Sequence, residues 1–113
     1  MSVLKPEDHF RKMKPNERVK GEVAVVTGAS LGIGRACALM LAAHGARVAV
    51  TDVLETEGRA LVSEILEAGG EAEYWHLDVS NEDEVRGVMA EIAERFGKLT
   101  VLVNNAGISG ADK

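Results

Sequence analysis

Three glycines, two aspartates and a pair of asparagines carry the chemistry that this sequence offers. The glycines stand in the run Thr27-Gly28-Ala29-Ser30-Leu31-Gly32-Ile33-Gly34. An apolar stretch, Val23-Ala24-Val25-Val26, leads into that run, and an Ala- and Leu-rich helical pattern from Arg35 to His44 leads out. A strand, a tight glycine turn and a helix start together hold a phosphate, because backbone N–H groups converge where the helix N-terminus adds partial positive charge. Gly28 lets the chain turn off the strand, Gly32 leaves bare backbone for a pyrophosphate, and Gly34 lets the helix pack close to the sheet. The spacing is Gly-x-x-x-Gly-x-Gly, and a glycine cluster alone is equally a plain strand-to-helix turn. The residues around it decide.

Asp52 closes the next apolar run, roughly 20 residues beyond the glycines, where a carboxylate can accept the hydroxyls of an adenosine ribose. The same charge repels a 2′-phosphate. Neither Leu31 in the glycine turn nor Val53 after Asp52 supplies the arginine that a phosphorylated ribose needs, so the residues favour NAD over NADP. Asp78-Val79 follows the third apolar run, and Asn104-Asn105-Ala106-Gly107 follows the fourth. Ligands of open parallel sheets bind outside the carboxyl ends of the strands, and all four features fall at such ends.

The elements that must position these residues are readable from Gly21 onward. Continuous apolar runs predict strands over 23–27 and 47–51, buried on both faces, and the alternating run 72–77 reads as a half-exposed or edge strand. A fourth strand is predicted over 99–103. Helices are predicted over 33–44, with Cys37, Leu39, Met40 and Leu41 available for burial, and over 55–68, with Leu61, Ile65 and Ala68 inward. A third, over 82–96, carries the stripe Val85, Val88, Met89, Ile92, Ala93 and Phe96 behind an acidic first turn and a Ser80 or Asn81 cap. This β-α-β-α-β-α-β alternation with short connections predicts an α/β fold with a parallel sheet, right-handed crossovers and helices on both faces.

The 113 residues amount to one domain at most. Residues 1–20, with both prolines and six Lys/Arg against three Asp/Glu, read as a polar N-terminal extension on which Phe10 and Met13 can anchor and His9 is a surface side chain. The remainder carries seven Lys/Arg against fifteen Asp/Glu, and an acidic body argues against nucleic acid as a partner. No stretch approaches the ~20 apolar residues of a membrane span, and no secretory h-region opens the chain. Cys37 is the single cysteine and reads as a buried thiol in a reducing, cytoplasmic setting. No metal-ligand spacing is present.

Together, Thr27-Gly-Ala-Ser-Leu-Gly-Ile-Gly34, Leu77-Asp-Val79 and Asn104-Asn-Ala-Gly107 resemble the short-chain dehydrogenase/reductase family in its compact single-domain form, over about residues 20–110. The extended, sugar-nucleotide-modifying branch spaces its glycines differently and fits less well. The resemblance implies a Rossmann-type doubly wound sheet, of strand order 3-2-1-4 in this segment, with 21–113 as the N-terminal half of an NAD-binding domain. It also implies cofactor contacts at Gly28, Ser30, Leu31, Gly32, Ile33 and Gly34, at Asp52 and Val53, at Asp78 and Val79, and at Asn105, Ala106 and Gly107. Asn104 and Asn105 would also tie the fourth strand to its neighbours. The implied activity is hydride transfer between NAD(H) and an alcohol/ketone pair, in a protein that assembles as a homo-oligomer, a dimer or tetramer.

The family's catalytic Ser and Tyr-x-x-x-Lys lie beyond Asn-Asn-Ala-Gly, and they are expected downstream of residue 113. Tyr74, the one tyrosine, lies on the third strand with no lysine four residues on and is not that catalytic residue. Trp75 and His76 read as packing or edge residues, and His44 as a helix-end residue that suits the dipole. The segment alone is therefore expected to be inactive. With its fourth strand an unpaired apolar edge, it is also expected not to form a stable monomer as an isolated piece. A dinucleotide-binding module without catalysis, in a redox-sensing or scaffold protein, is the alternative reading; catalytic residues beyond 113 discriminate the two.

Overall fold

The computed structural model describes residues 19–105, in which strands and helices alternate: β1 (Val23–Thr27), α1 (Gly32–Ala43), β2 (Arg47–Asp52), α2 (Glu55–Glu67), β3 (Glu71–His76), α3 (Glu82–Phe96) and β4 (Val101–Asn104). The four strands form one parallel sheet in the order β3-β2-β1-β4. That is the doubly wound arrangement expected from the sequence. Phe10, Met13 and His9, like Ala106 and Gly107, lie outside the described residues.

β1 is central and buried along its whole length, which explains why its sequence is continuously apolar rather than alternating. Its period of two sorts the core into two layers. Ala24 and Val26 join Ala38, Val48, Val50, Leu61 and Ile65 under α1 and α2, whereas Val23 and Val25 join Ala49, Val88 and Ile92 under α3.

α3 is the most fully specified helix. Asn81 accepts the Glu84 N–H at 3.1 Å as its cap, three acids occupy the first turn, and Gly97 ends it in the left-handed region. Asn81 rather than Ser80 takes the capping position, and the Ser80 hydroxyl donates to Asp78 Oδ1 instead.

The boundaries differ from expectation by a residue or two, for identifiable reasons. Asp52 belongs to β2 because it still faces His76 across the ladder. β3 ends at His76; Leu77, just past it, donates its N–H to Asp52 O at 3.0 Å and buries its side chain. β4 starts only at Val101, since Thr100 exchanges bonds with Val23 through its own N–H and hydroxyl instead of the ladder. Ala68 is the exposed C-cap of α2 and not part of its buried stripe. In α1 the buried side chain is Ala38, while Cys37, Leu39, Met40 and Leu41 are half-buried. His44 is the C-cap of that helix and is buried. Val19 packs against the core and donates to His44 O, so the body begins by residue 19.

Candidate cofactor site

The carboxyl ends of all four strands lie on one rim, and the glycine bend reaches both sides of it. Gly28 and Gly32 each have φ of 60°, a left-handed conformation that costs glycine nothing and other residues roughly 1–2 kcal/mol. Gly34 serves differently. A Cβ there would lie 2.2 Å from Gly28 O and 2.7 Å from Asn105 Nδ2, so only hydrogen lets α1 start this close to the bend.

On the β4 side, Asn105 Nδ2 donates to Gly28 O at 3.1 Å, and Asn105 N–H donates to Thr27 Oγ1 at 2.9 Å. Asn104 lies within hydrogen-bond reach of the same hydroxyl, at 3.2 Å. The two asparagines thus tie the end of β4 to the bend.

On the β2 side, the Asp52 carboxylate is held by three backbone N–H groups. Ser30 donates to Oδ2 at 3.0 Å, and Val53 and Leu54 donate to Oδ1 at 2.7 and 3.3 Å. A carboxylate has about four lone-pair directions, so the acceptor capacity left over is on Oδ2. Ser30 itself is buried, and its hydroxyl donates to Leu54 O at 3.3 Å. Its polar groups fasten the β2–α2 turn to the bend.

Asp78 sits where the chain leaves Leu77. Its Oδ1 accepts both the Ser80 hydroxyl, at 2.7 Å, and the Ser80 N–H, at 3.0 Å. These two bonds, the hydroxyl first, hold the Asp78 carboxyl below the usual carboxylate range, with a smaller contribution from His76. Glu84 anchors the same turn by accepting from Asp78 N–H at 3.3 Å while facing His76 Nδ1.

The rim between these clamps suits a dianionic bridge and a sugar diol. The N-cap of α1 is Leu31, which offers no side-chain acceptor, and the first turn has no acid. α2 also lacks a side-chain cap but has Glu55 and Glu57, and α3 has both cap and acids. α1 alone of the three thus keeps its N-terminal charge uncompensated. A Cβ on Gly32 would meet nothing within 4 Å, so bare backbone faces open space there. Leu31, Ile33, Val53 and Val79 are exposed apolar side chains around the same rim. The cations nearest in sequence are engaged, Arg35 with Glu64 and Arg59 with Glu55.

Two residues in this region gave little sign of importance in the sequence. Gly58, the fourth residue of α2, stands where a Cβ would be 2.4 Å from Tyr74 Cε1; a glycine inside an otherwise ordinary helix, costing about 1 kcal/mol, is the available signal. Tyr74 donates its hydroxyl to Asp52 O at 2.7 Å.

A parallel sheet of order 3-2-1-4 with a glycine bend joined to the ends of β2 and β4 defines a protein of the dinucleotide-binding fold class. The chain belongs to the short chain dehydrogenase family, whose model matches residues 22–113. It is 49% identical over 96 residues to a 3beta-hydroxysteroid dehydrogenase of Mediterraneibacter gnavus, covering 85% of this chain and 35% of that protein. It is 44% identical over 99 residues to a trans-4-hydroxycyclohexanecarboxylate dehydrogenase of Sinomonas cyclohexanicum, covering 82% of this chain and 38% of that one. Among solved structures, a hydroxysteroid dehydrogenase from Escherichia coli superposes with a TM-score of 0.79 at 37% identity, over 84% of this chain and 40% of that chain. The chain therefore spans about a third of the length of the curated relatives it matches.

Proposed function

We propose that this chain supplies the cofactor half of an NAD(H)-dependent oxidoreductase acting on an alcohol/ketone pair. The observation that carries the reading is the Asp52 carboxylate, fastened 3.0 Å from Ser30 N at the edge of the glycine bend. When bound, the nicotinamide cofactor supplies the hydride acceptor or donor. The residues around it bind and orient. The N-terminus of α1, with Gly28, Leu31, Gly32, Ile33 and Gly34, faces the diphosphate, and Ser30 braces that loop from below. Asp52 and Val53 border the adenosine ribose, Asp78 and Val79 the adenine, and Asn105 with Ala106 and Gly107 continues along the cofactor.

NAD rather than NADP follows from charge. A 2′-phosphate would stand against the Asp52 carboxylate, and the neighbouring arginines are already paired. Relatives named as dehydrogenases and synthases favour catalysis over a binding-only module. A small-molecule substrate, no nucleic-acid partner, a cytoplasmic setting and a homo-oligomer complete the reading. Of the polar extension read over residues 1–20, Val19 belongs to this unit, and the extension is the stretch before it. No helix among the described residues is long and apolar enough to cross a membrane.

The test is equilibrium titration of the complete protein with NAD and NADP. Asp52→Ala is expected to weaken NAD about tenfold or more, as loss of a charged hydrogen-bond acceptor does, and to narrow its lead over NADP. An unchanged ratio of the two affinities would remove Asp52 from this role.

A further inference from the structure

We propose that Tyr74 is a positioning residue for cofactor selection, acting on the ribose site through the main chain of Asp52. The inference rests on the NAD reading above and adds to it a residue that touches no ligand.

Asp52 is held from two directions. Its carboxylate is clamped from the glycine bend and the β2–α2 turn, through the N–H groups of Ser30, Val53 and Leu54. Its carbonyl is clamped from β3 and the residue just past it, accepting the Tyr74 hydroxyl at 2.7 Å and the Leu77 N–H at 3.0 Å. The Leu77 bond continues the sheet ladder and any residue at 77 other than proline could make it. The Tyr74 bond depends on one side chain.

That side chain is fitted to its place. Tyr74 packs against the layer under α1 and α2, and the α2 residue opposite its ring is Gly58. A Cβ at 58 would fall 2.4 Å from Cε1 and 2.6 Å from Cδ1 of the ring, and 3.2 Å from Ser30 Oγ. Only a hydrogen at that position lets the phenol lie under the turn that carries Asp52, Val53 and Leu54. Over the ring, 5.2 Å from its centroid, stands the Arg59 guanidinium, itself held by Glu55 at 2.8 Å. Desolvation, and next the charges of Glu55 and Asp52, push the phenol above its ordinary value, with Arg59 opposing, so it remains a donor at neutral pH.

The consequence for binding is a matter of populations. A carboxylate that must meet a ribose hydroxyl works only in the fraction of molecules that hold it in place, and apparent affinity falls with that fraction. A loosened Asp52 also repels a 2′-phosphate less well. Losing the Tyr74 hydroxyl should therefore weaken NAD and spare or improve NADP, whereas a merely structural residue would weaken both alike.

The experiment compares Tyr74→Phe, Gly58→Ala, the double variant and Asp52→Ala in the complete protein. Affinities for NAD and NADP are measured by isothermal titration calorimetry, and thermal unfolding is followed alongside. Tyr74→Phe keeps the ring and removes only the hydroxyl. Its NAD dissociation constant is expected to rise about three- to tenfold, the range of one hydrogen bond, with that for NADP unchanged or lower. Gly58→Ala retains the hydroxyl but displaces the ring and should act in the same direction; it stands in for the test if Tyr74→Phe fails to fold. The double variant should lose no more NAD affinity than the worse single one, because both act on one contact. The proposal is overturned if Tyr74→Phe binds NAD as the parent does while Asp52→Ala does not, or if NAD and NADP weaken equally. If Asp52→Ala itself leaves the ratio unchanged, the cofactor reading fails and this inference falls with it.

Discussion

At the scale of single residues, the rim is built mostly of side chains that hold other protein groups. Ser30 and Asn105 each spend a backbone N–H and a side-chain donor on neighbouring loops, and Asp78 spends a carboxylate oxygen on Ser80. Asp78 gives a direct test of that economy. Because its folded value lies below the ordinary one, mainly through the Ser80 hydroxyl, the Asp78–Ser80 contact stabilises the fold above the ordinary carboxylate value, about 3.9, and is lost as the pH falls through the folded value. Ser80→Ala should raise the Asp78 value toward the ordinary one, read by NMR titration of its side-chain carboxyl carbon. An unmoved titration would assign the depression to another group. The positions of Asp52, Asp78 and Asn105 could be read from the sequence because each follows an apolar run. The tie made by Asn105 is implied only by the family resemblance, and the Ser30–Asp52 clamp by nothing in the sequence, since it joins a bend to a different strand. A place on the third strand and the lack of a lysine four residues on exclude Tyr74 as the catalytic tyrosine, but its hydrogen bond to Asp52 O depends on the β2–β3 register, which neither gives.

At the scale of elements, the alternation in β1 divides the core, and the division predicts how damage combines. Leu61 on α2 and Ile92 on α3 are both fully buried but belong to different layers, with the sheet between them. Leu61→Ala and Ile92→Ala should each cost about 2–5 kcal/mol. Together they should add to within about 0.5 kcal/mol, as separated sites do. Denaturant unfolding of the two single variants and the double variant checks this, and a coupling well beyond that margin would mean the sheet transmits packing strain between its faces. Element types and order were legible because strand and helix periods differ so plainly. The ends were less so. Thr100 looks like strand by composition, yet its hydroxyl takes the Val23 N–H; Ala68 keeps helical spacing but falls on the final, exposed turn.

At the scale of the molecule, four strand ends, one bend and one helix N-terminus with neither side-chain cap nor first-turn acid make a single rim, and the family to which the chain belongs uses a nicotinamide cofactor. The apolar edge expected at β4 is visible in Leu102, which is 55% exposed on a strand that pairs, among the described residues, with β1. Everything proposed for the function depends on where the adenosine half of the cofactor lies. A crystal structure of the complete protein with NAD measures that directly. The account predicts an adenosine ribose hydroxyl within hydrogen-bond distance of Asp52 Oδ2, with the diphosphate over Gly32 and the N-terminus of α1. An adenosine ribose bound out of reach of Asp52, or a diphosphate away from the bend, would contradict it.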